Sequence, residues 1–569
     1  MMSASFDRPA GATPSGRVSY RVGRLLGRIA VTVERIPPWT VLGAIMLVGW
    51  GVAVAAGRIA GHDGWLYYHG GDGTWYYTTS WVLGNGHIPP ALISYGYPFL
   101  IAPIARIAGS NVLDGIPAVI VFNQIVLAPI ALLCVYGITR MFASRLYAYV
   151  TSLLWVLTPV IVIHYFLADY HERYVDFTLP AAIGLTGLGD YPSMVVLLVA
   201  AYFLLRSVAT AATLDAVATG LATGFALAVK PANALFLPAV VVALAVARRP
   251  RLLGIFALAL IPSLIGLAMW KYRGLGYLPA FSHAQGSVPA TIVPVAFGFN
   301  FHRYVSLDWS QLHHNLDSIR EYTWSQRMVY WAALAGIVGL ARRSFVAAAL
   351  AATWLASYLV IKGSSDVVDF VTGSFMTHLI AAFPAYFLLA ISLPFLVPIY
   401  GRRRPPVPVG PETSLRLPKI AVSILGFLAI VGLLAVALLP TLDSPAAARI
   451  VVANLYVPFD GFTVAARQSN GRVTLSWPRQ QPADTRASYT IFRDPTNLAI
   501  CVPVKHAAAN CAYFGGRVTA VKGDITSWSE HPPPGTWAYR VSLSATPNGQ
   551  QSASDYILVS KPVTVTVRR

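Results

Sequence analysis

Long apolar runs separated by short polar segments dominate the chain up to about residue 440. Examples are Val41–Ala56 and Leu252–Met269. Each approaches the roughly 20 apolar residues with which an α-helix crosses the hydrocarbon core of a bilayer. The pattern predicts about eleven transmembrane helices. They lie approximately at Trp39–Ala60, Ile116–Thr139, Leu146–Ala168, Tyr191–Arg206, Leu214–Val229, Ala232–Ala247, Leu252–Trp270, Met328–Ala341, Phe345–Ile361, Thr377–Ile399 and Ile420–Leu439.

The polar segments and the end of the chain have patterns of their own. Pro98 and Pro103 interrupt the apolar stretch Pro90–Ile107, which predicts a membrane-surface or re-entrant segment. After Pro440, apolar and polar residues alternate, as in Val473–Trp477, and turn-prone stretches such as Pro532–Gly535 separate the runs. This alternation predicts an all-β sandwich. The expected organisation is a basic N-terminal segment (1–38), a transmembrane domain (39–440) with large outer loops at 61–114 and 271–327, and a β domain (441–569).

The composition excludes a single soluble globule. The 569 residues are 56% hydrophobic and 11% charged, with a mean hydropathy of +0.59, whereas ordinary globular chains carry about 25% charged residues. The aromatic content of 12% excludes disorder. A net charge of +19 could indicate a nucleic-acid partner, but the basic residues form short clusters between apolar runs. That distribution is the positive-inside pattern of a multi-pass membrane protein, so we expect no nucleic acid.

The same clusters predict the topology. The first span is too long for the apolar core of a signal peptide, so we interpret it as a retained anchor that follows a cytoplasmic, arginine-rich N-terminus. Basic residues then recur in alternate loops, whereas acidic residues concentrate in the others. An odd number of spans places the C-terminal domain outside the cytoplasm. The composition, rich in Ala, Val and Arg, indicates a bacterial cytoplasmic membrane.

Candidate chemistry lies in the outer loops, which are rich in His, Asp, Tyr and Trp. Aromatic rings stack on the apolar faces of sugars, and carboxylates bind their hydroxyls. No phosphate-binding Gly loop of the nucleotide type and no Gly-x-Ser-x-Gly motif is present, which argues against a nucleotide-sugar donor and an acyl-transfer triad. Several outer histidines show no metal-ligand spacing and are interpreted as surface residues: His283, His302, His313, His314 and His378.

Three segments in order resemble the C superfamily of integral-membrane glycosyltransferases (GT-C). They are the first outer loop with Asp72-Gly73, the helix start Gly189-Asp190-Tyr-Pro with Arg206 at its far end, and the Gly-rich helix that ends in Lys230-Pro. The resemblance covers about residues 40–250 and is closest to the branch of protein O-mannosyltransferases and lipid A aminoarabinose transferases. In that branch an Asp-Glu pair or a lone Asp in this loop is catalytic. This chain has Asp72-Gly73, and the missing second carboxylate weakens the case for a two-carboxylate metal site.

The resemblance implies transfer of a sugar from a polyprenyl-phosphate donor to an extracytoplasmic glycan, lipid or protein, at a site in contact with membrane lipid. The implied catalytic residues are Asp72 and Asp190. From their charge and their position at the outer ends of spans, Lys230 and Arg173 are expected to bind the donor phosphate. A divalent cation is compatible with this chemistry, but no ligand set is assigned. Expected substrate contacts are Tyr76, Tyr77, Tyr95, His171 and Glu172.

Structural interpretations of these residues stay open. Asp72 precedes a glycine and could form a turn, Asp190 could cap a helix, and Lys230 could snorkel to the headgroups. The charged cluster from Asp169 to Asp176 could be a solvated loop. Two other functions also stay open: a transporter or flippase of a lipid-linked or small solute, and an inactive scaffold that keeps the GT-C fold.

The C-terminal domain resembles a fibronectin type III sandwich over roughly 110 residues. Trp477 fits the second-strand tryptophan of that family, and Trp537 stands where its corner tyrosine is usual. Cys501 and Cys511 lie in this domain, where either a disulfide or two buried thiols is consistent with the sequence. Three cysteines in the whole chain exclude a disulfide scaffold and a CxxC metal site.

Overall fold

The structure is a computed structural model of the full chain. It describes residues 36–59, 72–84, 93–107, 116–275, 307–324, 326–365, 368–397, 453–455, 463–479, 486–495, 499–502, 510–514, 516–546 and 556–568. For some of them, Asp72 included, only the backbone is described. Most of the predicted N-terminal segment, parts of both large outer loops and the eleventh predicted span, Ile420–Leu439, lie outside these residues.

Helices make up the described part of the N-terminal two thirds of the chain. They are α1 (Pro38–Ile59), α2 (Asp72–Gly84), α3 (Gly96–Ile107), α4 (Ile116–Phe122), α5 (Ala128–Phe142), α6 (Arg145–Ile161), α7 (Ala168–Arg173), α8 (Leu179–Ala182), α9 (Asp190–Thr210), α10 (Thr213–Val229), α11 (Leu237–Val246), α12 (Pro250–Leu275), α13 (Trp309–Tyr322), α14 (Gln326–Ala341), α15 (Phe345–Gly363), α16 (Ser374–Leu379) and α17 (Phe383–Ala390). A π-helical turn, Asn123–Leu127, joins α4 to α5, a second, Tyr174–Thr178, joins α7 to α8, and a 3₁₀ segment, Pro231–Phe236, precedes α11.

Seven helical segments among the described residues are long and apolar enough to cross a membrane. Three shorter apolar helices accompany them: Thr213–Val229, Pro231–Val246 and Val329–Ala341. Together these ten segments coincide with the first ten predicted spans. The predicted class, a polytopic helical membrane protein with a β domain at its C-terminal end, is therefore confirmed. The most enclosed of the long spans is α9, with 61% of its apolar window buried inside the protein.

The stretch that contains Pro98 and Pro103 forms the short helix α3. Its residues Tyr97 and Ile101 are fully buried. At its N-terminal end, a Cβ atom on Gly96 would lie 2.6 Å from the backbone nitrogen of Val229. Only glycine permits this approach of α3 to the end of α10, so the close contact fixes α3 beside the helix that leads to Lys230.

Eleven strands make up the described part of the C-terminal domain. They are β1 (Ala453–Leu455), β2 (Ala465–Ser469), β3 (Arg472–Ser476), β4 (Arg486–Pro495), β5 (Ala499–Val502), β6 (Asn510–Phe514), β7 (Gly516–Lys522), β8 (Ser527–Glu530), β9 (Gly535–Thr546), β10 (Tyr556–Val559) and β11 (Val563–Val567). The sheet β2-β3-β8 shares one core with the sheet β10-β9-β4-β7, whose β9 also pairs with β11. Buried residues of β3, β4 and β9 meet between the two sheets, which is the packing of a β-sandwich.

Two details of this domain bear on the sequence predictions. Trp477 is buried and its ring lies 5.4 Å from that of Tyr489, as expected for a core residue. Trp537 does not fill a buried corner, because its half-buried ring stacks against the guanidinium of Arg493 at 4.9 Å. Tyr539 is the fully buried aromatic residue of this strand, and its hydroxyl donates to Glu530 Oε1 at 2.6 Å. The assignment to the fibronectin type III family stays a prediction.

A third, three-stranded sheet has the order β1-β6-β5. Strand β1 lies against α2, so the beginning of the β domain contacts the helix that starts at Asp72. In the backbone register of β5 and β6, Cys501 is directly opposite Cys511, and the side chains of both residues lie outside the described part.

Candidate functional site

An ion pair joins the beginning of α9 to the end of α10. Only residues 211 and 212 separate these two helices, so they run antiparallel and the start of one meets the end of the other. Lys230 Nζ lies 2.7 Å from Asp190 Oδ1, and the two side chains are 18% and 7% exposed. Charged groups are rarely this buried unless they are paired. The structure thus brings together two residues that the sequence singled out separately.

Local sequence explains why each residue stands at a helix end. Asp190 occupies the first turn of α9, where the helix dipole favours a carboxylate. The N-cap position is Gly189, and the carboxylate of Asp190 accepts a hydrogen bond from Lys230, so the geometry favours pairing over capping. Lys230 precedes Pro231, which disfavours helical backbone, and it is extended with φ −148° and ψ 115°. The helix therefore ends at Val229.

Asn233 holds the turn after Lys230 in place. Its amide nitrogen donates to Ser193 Oγ at 2.9 Å and to the carbonyl oxygen of Ala226 at 2.7 Å. Its amide oxygen accepts a hydrogen bond of 2.8 Å from the hydroxyl of Tyr358 on α15. All of these groups are buried, where satisfied hydrogen bonds specify a single arrangement. Asn233 thus ties α9, α10 and α15 together one turn away from the ion pair.

The loop that leads into Asp190 is braced by the π-helical turn between α4 and α5. The side-chain amide of Asn123 donates to the carbonyl oxygens of Gly184 and Thr186 at 3.1 and 3.3 Å. Gln124 donates to the carbonyl oxygen of Ile183 at 2.5 Å. Gly184 has φ +77°, and a Cβ atom there would lie 2.7 Å from the ring of Tyr191, so the turn requires glycine.

The beginning of α2 lies beside the same loop. A Cβ atom on Gly187 would lie 3.5 Å from the carbonyl oxygen of Gly73. Farther along α2, the hydroxyl of Tyr76 donates to the carbonyl oxygen of Val229 at 3.4 Å. The backbone of Asp72 is therefore next to the loop that carries Asp190, while its side chain lies outside the described part.

His378 lies at the same end of the bundle, which corrects its interpretation as a surface residue. It is half-buried, and its imidazole is within electrostatic range of Lys230, Lys362 and Asp190. Lys362 belongs to this group as well, although no sequence motif singled it out. Both residues stand at the outer ends of consecutive predicted spans, and this position was the signal that could have indicated them.

The three tyrosines expected to contact substrate are packed inside the protein. Tyr76, Tyr77 and Tyr95 are 5%, 3% and 2% exposed. The ring of Tyr76 packs on Tyr97 with centroids 5.6 Å apart, and that of Tyr95 packs on Trp270 at 5.9 Å. Rings enclosed in this way offer no open face to a sugar. In this structure they support the helix ends, and their contact with substrate stays a prediction.

The predicted charged cluster forms a neighbouring region. The π-helical turn that follows its helix α7 contacts α16, which carries His378. His171 Nε2 is hydrogen-bonded to the carbonyl oxygen of Phe166 at 2.7 Å, and Glu172 is exposed. Arg173 is half-buried on the same helix as Tyr170, whose pKa is raised by burial. The roles proposed for Arg173, His171 and Glu172 stay predictions.

The donor set of the described residues does not fit a divalent cation. No group of three or more His, Cys, Asp or Glu side chains that could hold a metal occurs in the described part of the chain. The carboxylate of Asp190 accepts from an ammonium group, which suits an ion pair. We therefore derive no step through a metal ion.

Comparisons with known proteins give a distant likeness. No protein-family model matches the chain, and no curated protein matches it. A solved structure that is similar is the crystal structure of the Archaeoglobus fulgidus oligosaccharyltransferase in the apo form. The two chains are 13% identical with a TM-score of 0.39, and the match covers 72% of this chain and 56% of the other. The match thus spans about half of the length of the oligosaccharyltransferase chain.

Proposed function

We propose that the protein is a membrane glycosyltransferase of the GT-C kind, which moves a sugar from a polyprenyl-phosphate donor to an extracytoplasmic glycan, lipid or protein. The observation that carries the proposal is the ion pair of Lys230 and Asp190, 2.7 Å long, with the loop before Asp190 lying against the start of α2, the helix that begins at Asp72. The ordered sequence motifs supply the same three residues. Helix ends are where a lipid phosphate meets water, so this is the level at which such a reaction must occur.

Lys230 binds the phosphate of the donor in this mechanism. An ammonium group has three N–H donors, so its contact with Asp190 is compatible with a phosphate oxygen on the same nitrogen. Asp190 orients Lys230 and keeps its charge at the site. A cation placed where negative charge develops on the leaving phosphate lowers the barrier to its departure.

Asp72 is the proposed base. Its carboxylate accepts the proton of an acceptor hydroxyl as the hydroxyl oxygen bonds to the anomeric carbon of the sugar. The bond from that carbon to the phosphate oxygen breaks, and its electron pair leaves on the polyprenyl phosphate beside Lys230. Strand β1 of the C-terminal domain lies against α2, the helix that begins at Asp72.

Replacement of Asp72 tests the proposal. We expect Asp72→Asn protein in lipid nanodiscs to bind polyprenyl phosphate but to transfer sugar about 10²–10⁴-fold more slowly, the usual loss for a general acid–base group. Asp524→Asn, at an exposed turn of the β domain, is the matched control with unchanged transfer. Near-normal turnover in folded Asp72→Asn protein would remove Asp72 from the mechanism. Absence of transfer from every lipid-linked sugar offered to the wild type would refute the function itself.

The proposed orientation places the site and the β domain outside the cytoplasm. It is supported by the arginines at the other end of the helices, among them Arg140, Arg206 and Arg342. A C-terminal alkaline phosphatase fusion should be active in a bacterial host, because this enzyme matures only outside the cytoplasm. An inactive phosphatase fusion together with an active cytoplasmic reporter at the same position would contradict this orientation.

A further inference from the structure

The turn that precedes His378 fixes its ring. The backbone nitrogen of Asp369 donates to Ser374 Oγ at 2.9 Å, and Ser374 Oγ donates to the carbonyl oxygen of Asp369 at 3.0 Å. Gly373, with φ +80°, completes the turn and begins α16. His378 Nδ1 lies 2.7 Å from the carbonyl oxygen of Ser374, one helical turn earlier. The imidazole is therefore held by a segment that is itself hydrogen-bonded.

This contact determines which ring nitrogen carries the hydrogen. A carbonyl oxygen can only accept, so Nδ1 must be the donor in the bond to Ser374. In the neutral imidazole, Nε2 is then an acceptor with a lone pair. The described charges around the ring are the ammonium groups of Lys230 and Lys362 and the carboxylate of Asp190. The site thus offers cations for an anion and, at His378, an acceptor for a hydroxyl.

We propose that His378 recognises the sugar of the donor, with Nε2 accepting a hydrogen bond from one of its hydroxyl groups. This inference rests on the proposed function, since it needs a lipid-linked sugar at Lys230. A sugar attached to a phosphate lies directly beside the cation that binds the phosphate. His378 is in electrostatic range of Lys230, and the 3₁₀ segment that follows it, Ile380–Ala382, packs against α9, the helix of Asp190. With Nδ1 bonded to Ser374, Nε2 can accept a hydrogen bond from a sugar hydroxyl. It is a specificity residue, distinct from the proposed base Asp72.

Two substitutions separate this role from a structural one. The amide of His378→Asn occupies the place of Nδ1 and can keep the bond to Ser374, but nothing replaces Nε2. The longer side chain of His378→Gln places an amide oxygen near the position of Nε2 and keeps an acceptor there. A merely structural role predicts that Asn is tolerated at least as well as Gln, whereas sugar recognition predicts the reverse.

The experiment measures affinity in nanodiscs for sugar-free polyprenyl phosphate and for a panel of polyprenyl-phosphate hexoses and pentoses. For the panel member that the wild type binds most tightly, we expect His378→Asn to weaken binding about five- to tenfold, the loss of one hydrogen bond. Affinity for the sugar-free lipid should not change, and His378→Gln should restore part of the loss. His313→Asn is the control, because the side chain of His313 is 79% exposed and pairs with Asp317 outside the site.

The outcomes separate the inference from the function on which it rests. Equal affinity of His378→Asn and wild type for the preferred sugar lipid would overturn the role of His378 and leave the glycosyltransferase standing. An equal loss for the sugar-free and the sugar-bearing lipid would assign His378 to the phosphate or to the fold and would also overturn it. If the wild type binds no polyprenyl phosphate at all, the proposed function fails, and the inference fails with it.

Discussion

The antiparallel pair α9–α10 carries an ion pair at each end, and the two pairs differ in their surroundings. At one end, Lys230 contacts Asp190 at 2.7 Å, and at the other, Arg206 Nε contacts Asp215 Oδ2 at 3.1 Å. Both carboxylates are similarly buried, with exposures of 7% and 8%. An ion pair between α9 and α10 therefore stabilises each end of the helix pair. The presence of an ion pair alone does not identify a functional site.

What distinguishes the two ends is what surrounds each pair. Around Lys230 lie His378, Lys362 and the beginning of α2, so ionisable groups from several helices converge. At the other end, Arg140 Nη1 and Arg342 Nη1 donate to the backbone carbonyl oxygens of Ala143 and Leu396. Arginines that satisfy carbonyls at helix ends anchor the bundle at the membrane surface. Convergence of ionisable side chains is the feature that points to chemistry.

Substitution of the two cations should give the largest difference in sugar transfer between the two ends of the α9–α10 pair. We expect Lys230→Met to lower sugar transfer by about 10²–10³-fold, because the leaving phosphate loses a preorganised positive charge. Arg206→Met, at the other end of the same helix pair, should leave turnover within about twofold. Radiolabelled transfer in nanodiscs, normalised to folded protein by size-exclusion chromatography, measures both variants. Equal losses in the two variants would mean that Lys230 acts only through the fold.

The sequence allowed Asp190 and Lys230 to be predicted as site residues, but not the contact between them. Asp190 and Lys230 were identifiable because each stands at the end of a span predicted from hydropathy, in an Asp-x-Pro and a Lys-Pro motif that resemble those of the GT-C superfamily. Their contact was not predictable, since it joins residues 40 positions apart and depends on how α9 packs against α10. The short connection between the antiparallel helices places both residues at the same end of the helix pair. The packing of α9 against α10 then brings their side chains into contact.

The tyrosines and the polar residues of one span show what the sequence left undetermined. Tyr76 and Tyr95 were interpreted as sugar contacts because they are aromatic and lie in an outer loop, but composition does not tell which way a ring faces. The structure buries both.

Asn123 and Gln124 were not predicted as important, although two adjacent amides inside an otherwise apolar span were a usable signal. Polar groups at such a position need partners, and here the partners are the carbonyls of the loop before Asp190.

Substitution of the two carboxylates should have a smaller effect on sugar transfer than substitution of the two cations. Asp190→Asn leaves the ammonium of Lys230 largely buried beside a neutral amide, and Asp215→Asn does the same to Arg206. Because the pairs are similarly buried, we expect each substitution to lower the free energy of unfolding by a similar amount, about 2 kcal/mol. Thermal unfolding in detergent, followed by intrinsic tryptophan fluorescence, compares the two variants. Only Asp190→Asn should also reduce transfer, since only Asp190 orients the cation that we propose binds phosphate.

The double variant Asp190→Asn with Lys230→Met removes both charges, so it should recover stability relative to Asp190→Asn without recovering activity. Recovery of both would show that the Asp190–Lys230 pair serves the fold alone, as we infer for the pair of Arg206 and Asp215.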